Sequence, residues 1–140
     1  MKKFSRVVAL LCVCILTSFV FCGCTHKRYE LVGIVFDGDT KITPLEEIED
    51  QSIVEYIKDS HGEDMYIKLK QNGDFVMGYC QYDTSTTVEI THYGRFEIDY
   101  DNETISVFFK RSDGSESKTT HQYSNNSIIY FDGTYFLAFK

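Results

Sequence analysis

Tryptophan is absent from this chain and proline occurs once, at Pro44. Cysteine is spent early: Cys12, Cys14, Cys22 and Cys24 crowd the first residues, and Cys80 stands alone afterwards. A single remaining thiol closes no internal disulfide, so the later chain must be held by an apolar core. The four histidines, His26, His61, His92 and His121, fall at no zinc-ligand spacing with Cys or with each other. Gly-x-Ser-x-Gly, His-Glu-x-x-His and a phosphate-cradling glycine loop are also missing. No pair of carboxylates is singled out as acid and base, and we expect neither an enzyme nor a cofactor. Positive charge is in deficit, with 14 Lys and Arg against 21 Asp and Glu. Three of the basic residues are Lys2, Lys3 and Arg6; without them the balance is 11 against 21, a formal charge of −10. Such a surface repels nucleic acid and favours cationic partners, because phosphate binding depends on Lys and Arg contacts.

What is present begins with Lys2, Lys3 and Arg6, followed by an apolar run from Val7 to Cys22 and then Gly23 and Cys24. A positive start, an apolar middle and a small residue at the cut form the layout of a secretory signal. Phe21-Cys22-Gly23-Cys24 resembles a bacterial lipobox, matching it at Gly23 and Cys24. The resemblance implies cleavage before Cys24 and a diacylglyceryl group on its thiol. We therefore expect a signal peptide over 1–23, an anchor and tether over 24–28 and one domain over 29–140. The lipid would hold the domain on the outer face of the cytoplasmic membrane. An uncleaved helix is the alternative, since about 17 apolar residues just cross a thin bilayer. Thr25 to Arg28, fully extended, reach about 14 Å, which keeps the domain against the bilayer.

Beyond residue 28 apolar and polar residues alternate repeatedly, the mark of strands with one buried face. The spacing predicts strands over Tyr29–Phe36, Met65–Lys70, Phe75–Tyr79, Thr87–Asp99 (one long or interrupted strand), Thr104–Lys110, Lys118–Tyr123, Ser127–Phe131 and Tyr135–Phe139. The turn after Lys70 fixes a register. A two-residue Asn72-Gly73 loop would set the apolar residues of its two strands on opposite faces. A three-residue loop with Gly73 left-handed pairs Leu69 with Phe75 and Ile67 with Met77, on one side. We expect a mainly β fold, an antiparallel meander of seven or eight strands closing into a small barrel.

Alternation places Leu69, Phe75, Met77, Tyr79, Phe96, Ile98, Ile105, Val107, Phe109, Tyr135, Leu137 and Phe139 in the barrel interior. Tyr100 and Phe131 are expected inward as well, and Tyr66, Tyr82, Tyr93 and Tyr130 outward. An eight-stranded barrel is just wide enough to be filled by side chains or to hold one small ligand. So many rings argue for the filled version, with any cleft confined to a mouth near the helix. That helix follows the first strand: Thr43-Pro44-Leu45-Glu46 reads as a capping box with proline at the first helical position. Gly62 can end it.

Two metal readings deserve a place beside these. Asp37, Asp39 and Glu46 match the later part of a calcium loop, but Val35 stands where its first Asp belongs and Thr40 replaces its glycine. A turn feeding a helix accounts for the same residues, and we expect no metal. His61 with Glu63 and Asp64 makes a loose surface cluster, whose ordinary reading is a polar turn.

The order of elements resembles the lipocalin-like lipoproteins of Gram-positive anaerobes, from Tyr29 to Lys140. The likeness is carried by Leu31-Val32, by the loop Asp37-Gly-Asp39 leading to Thr43-Pro-Leu-Glu-Glu47, by Leu69-Lys-Gln-Asn-Gly-Asp-Phe75 and by Gly94-Arg-Phe-Glu-Ile98. It implies a fold more than an activity. The expectation is a membrane-anchored, non-enzymatic binding or interaction domain with a protein partner at the membrane surface. A lipocalin-like carrier of a small apolar ligand is the alternative.

Overall fold

A computed structural model describes residues 26–62, 64–82 and 86–140, with Tyr82 described by its backbone alone. The proposed signal peptide and Cys24 lie outside these residues. Nine strands follow one another: β1 (His26–Val35), β2 (Ile42–Pro44), β3 (Tyr66–Lys70), β4 (Asp74–Tyr82), β5 (Thr87–Asp99), β6 (Thr104–Lys110), β7 (Glu116–Ser124), β8 (Ser127–Phe131) and β9 (Phe136–Phe139). Each pairs antiparallel with the next from β3 onward, and β1 pairs with both β3 and β9. The result is a closed eight-strand barrel, with β2 outside the ring and one α-helix, α1 (Gln51–His61), after the first strand.

The β3–β4 hairpin has the register that its turn dictates. Leu69 faces Phe75 and Ile67 faces Met77, and Gly73 carries a φ of +89°. The Gly73 N–H donates to the Lys70 carbonyl at 3.0 Å, and the Asn72 side chain accepts from the Asp74 N–H at 3.1 Å. Ile67, Leu69, Phe75, Met77 and Tyr79 of this ribbon therefore reach one core. Leu69, Phe75, Met77, Ile105, Val107, Leu137 and Phe139 are buried there, and Tyr79, Phe96, Ile98, Phe109 and Tyr135 are half-buried against them. Ile53 and Ile57 bring α1 into the same cluster.

The capping box is not formed. Thr43 and Pro44 belong to β2, which pairs Ile42–Pro44 with Gly33–Val35. The cause is a shortage of partners. β3 begins at Tyr66, opposite Glu30, so the second half of β1 has no neighbour on that side. Its backbone groups are satisfied by the chain folding straight back, and a proline is tolerated because β2 is an edge strand. A short 3₁₀ turn, Leu45–Glu47, follows. The α-helix starts later, capped by Asp50, whose carboxylate accepts from the Ser52 N–H at 3.0 Å and from its hydroxyl at 2.6 Å. Gly62 ends it with a φ of +71°.

Four aromatic placements also differ from expectation. Tyr100 sits in the turn after β5 and is 70% exposed. In β8 the parity is reversed: Ile128 and Tyr130 face Phe139 and Leu137 on the inner side, and Phe131 faces Phe136 outside, 44% exposed. The run Ile128-Ile-Tyr-Phe131 is apolar at every position, so alternation gives no parity there. Tyr66 is outside the core but only 5% exposed. Arg28 and Lys68 lie over its ring at 4.2 and 4.8 Å, and its hydroxyl donates to Glu89 at 2.6 Å. Tyr93 is exposed, as alternation implies.

Gly78 makes room for Tyr66, because a Cβ there would land on the phenol ring. Gly78→Ala is expected to destabilise the barrel by about 1–3 kcal/mol through overpacking. Urea unfolding checks this, and a loss below about 0.5 kcal/mol would show that the ring swings aside freely.

Candidate functional site: a cleft at the barrel mouth

The barrel has two ends. One holds His26, the β3–β4 turn and the β5–β6 turn; the other holds Val35, α1, the β6–β7 turn and the β8–β9 turn. The second end is organised by Asp132, between β8 and β9. One carboxylate oxygen accepts from the N–H groups of Thr134 at 2.8 Å and Tyr135 at 2.7 Å, which fixes the turn. The other oxygen faces α1, 2.8 Å from His61 Nε2 and 3.4 Å from the Tyr56 hydroxyl. Thr134 Oγ1 lies 3.3 Å from the same hydroxyl. The last turn of α1 is thus latched to the β8–β9 turn.

Asp132 is deeply enclosed, its side chain 3% exposed. Burial alone would push its carboxyl group up, but the Tyr135 and Thr134 N–H groups and His61 together hold it below the usual carboxylate range. It accepts from the groups around it on both oxygens.

Beside this latch lies an open cleft of about 440 Å³. Its floor is Met65, Met77 and Phe109, the upper limit of the packed core. Tyr79 and Tyr130 form walls, and each has an imidazole against it, that of His92 lining the cleft as well. His92 stacks on Tyr79 with centroids 6.1 Å apart, and His121 stacks on Tyr130 at 4.0 Å. His61, Tyr93, Lys110 and Asp132 stand at the rim.

His121 is the buried polar side chain of the core, 6% exposed. The β7–β8 ladder stops at Gln122 and Ile129, and the imidazole takes over where it ends. Nδ1 accepts from the Phe131 N–H at 3.2 Å, which leaves the proton on Nε2, 2.9 Å from Thr119 Oγ1. Burial pulls its pKa down to about 4, so the ring is neutral.

Charge at this mouth is distributed unevenly. Glu116 stands opposite Lys110 in the β6–β7 ladder, yet both its carboxylate oxygens are forked onto Arg95, at 2.9 and 3.2 Å. The Arg95 guanidinium holds the Glu116 carboxyl below its ordinary range. Asp132, which lines the cleft, and Glu116, opposite Lys110, therefore have their carboxylate oxygens on other donors, and Lys110 is exposed at the rim.

The calcium residues are not assembled. Asp37 and Asp39 lie in the β1–β2 turn and Glu46 in the 3₁₀ turn. Among the described residues no three His, Cys, Asp or Glu side chains are grouped to hold a metal ion, and Glu63 lies outside them. A shallower depression of about 360 Å³ opens at the opposite end, by Lys27, Tyr100 and Tyr123. The Tyr29 hydroxyl is buried beside that of Tyr123 without a well-formed hydrogen bond.

Sequence reasoning placed a cleft at the mouth near the helix but missed its parts. His61 and Asp132 are 71 residues apart, and nothing local couples them. The signal available was the Asp132-Gly133 turn falling at the same barrel end as the helix terminus. Among the described residues no helix is long and apolar enough to cross a membrane. Comparison with protein-family models, with curated proteins and with solved structures found no match.

Proposed function

We propose that this chain is a lipid-anchored protein on the outer face of the cytoplasmic membrane, with its barrel acting as a non-enzymatic binding domain. The observation that carries the binding reading is the open cleft set on a packed barrel end. Anchoring is supported by the sequence Gly23-Cys24 after an apolar run. Only Thr25 separates Cys24 from β1, so a lipid on Cys24 would hold the His26 end close to the bilayer. β1 has 10 residues and rises about 33 Å. The cleft would then face away from the membrane, open to solutes or to a protein partner. The acidic surface argues against nucleic acid as that partner.

The carrier reading is narrowed by packing. Phe75, Val107, Leu137 and Phe139 fill the centre, so a ligand has the mouth to occupy rather than an inner chamber.

Palmitate labelling of the full chain expressed in a lipoprotein-processing bacterium tests the anchor. The wild type should incorporate label and Cys24→Ser should lose essentially all of it. Equal labelling of the two, or none in the wild type, would refute lipidation at Cys24.

A further inference from the structure

We propose that the mouth cleft binds a small organic anion carrying a flat ring. The inference deepens the reading of the barrel as a binding domain, and it is independent of Cys24. Three observations converge on it.

The first is charge. The domain is strongly acidic, yet the carboxylate oxygens of Asp132, in the lining, and of Glu116, opposite Lys110, are taken up by other donors. Asp132 is spent on two backbone N–H groups, His61 and Tyr56, and Glu116 is forked onto Arg95. Lys110 stands at the rim opposite Glu116, whose attraction reaches it through space while both its carboxylate oxygens are bonded to Arg95. An anion entering here meets an ammonium group without first displacing a carboxylate from it, and a charge-assisted contact is the stronger kind.

The second is shape and surface. Tyr79 and Tyr130 present ring-bearing walls, each held by a stacked imidazole, over the polarisable floor of Met65 and Met77. Such walls favour a flat aromatic body over a branched aliphatic one. At about 440 Å³ the cleft falls in the range of small-molecule sites.

The third is rigidity. The floor is the top of the core, and the His61 side is latched to the β8–β9 turn through Asp132. A site that is already formed loses little on ligand binding.

The test uses two probes of one shape, 1-naphthoate and its uncharged counterpart 1-naphthamide. Isothermal titration is run on the full chain in nanodiscs, with empty nanodiscs as blank. Saturable 1:1 binding of naphthoate is expected, with a Kd of about 1 mM or tighter and at least about tenfold tighter than naphthamide. Lys110→Gln lies on the surface and should fold normally. It should weaken naphthoate by about tenfold and leave naphthamide unchanged. Tyr79→Leu should weaken both probes together. Equal affinities for the two probes, naphthoate binding unaltered in Lys110→Gln, or no saturable binding of either would each overturn the proposal. Palmitate labelling is untouched by any of these results, so failure here and failure of the anchor are separable.

Discussion

Phe75→Ala should cost the barrel about 3–5 kcal/mol, the largest loss we expect from a single side chain. Phe75 is fully buried. On one side it faces Leu69 across the β3–β4 ladder, and on the other it faces Gly94 across β4–β5. Gly94 has no side chain to move into the space, and its backbone is held in the β4–β5 and β5–β6 ladders around it. Phe109 meets Phe75 edge to face, with centroids 5.6 Å apart, and would lose that contact. The site therefore cannot collapse, and both the transfer and the cavity terms apply. Phe75→Leu, which keeps most of the volume, should cost about 1–2 kcal/mol. Chemical denaturation of the two variants decides the matter. A loss under about 1 kcal/mol for the alanine would mean that the centre is not packed as described.

Acid should unfold the protein in two stages, the first owed to His121. The imidazole is buried and neutral in the fold, with its pKa pulled from 6.5 to about 4 by burial. In the unfolded chain it protonates near pH 6.5, so between pH 6.5 and 4 the unfolded state binds the extra proton. Stability from this group is complete above about pH 6.5 and drains away as pH falls toward 4, by at most about 3 kcal/mol. The carboxyl groups of Asp99, Asp113, Glu116 and Asp132 are held below their ordinary values. Their contributions are present above the unfolded carboxylate pKa and fail at lower pH, as the folded carboxyls take up protons. The window between pH 6.5 and 4.5 consequently isolates the histidine. Urea midpoints at pH 7, 5.5 and 4.5 should decline in the wild type and stay nearly level in His121→Gln. A flat wild-type profile would contradict the burial of an uncharged ring at the β7–β8 seam.

Legibility followed locality. The β3–β4 register was readable because a tight turn and two alternating strands constrain one another over a few residues. The long β5 and the inward run Ile105, Val107, Phe109 of β6 were readable for the same reason. Reading failed wherever the deciding partner was distant. Thr43-Pro44-Leu45-Glu46 has every local mark of a helix start, but the unpaired half of β1 claims Ile42–Pro44 for a ladder. Tyr130 and Phe131 are equally apolar, and only β9 decides which turns inward. The mouth cleft suffers most, since its latch joins α1 to a turn far along the chain, and both carboxylate oxygens of Glu116 are held by an arginine on β5.

Closure of the ring has a consequence for how the molecule comes into being. Glu30 and Lys140 exchange a pair of backbone hydrogen bonds, at 2.8 and 3.0 Å, joining the opening strand to the final residue. A chain that emerges amino end first from the ribosome could not complete its cylinder until β9 and Lys140 had followed. Until then the flanks of β1 and β8 would stand bare, inviting chaperones or proteases to intervene.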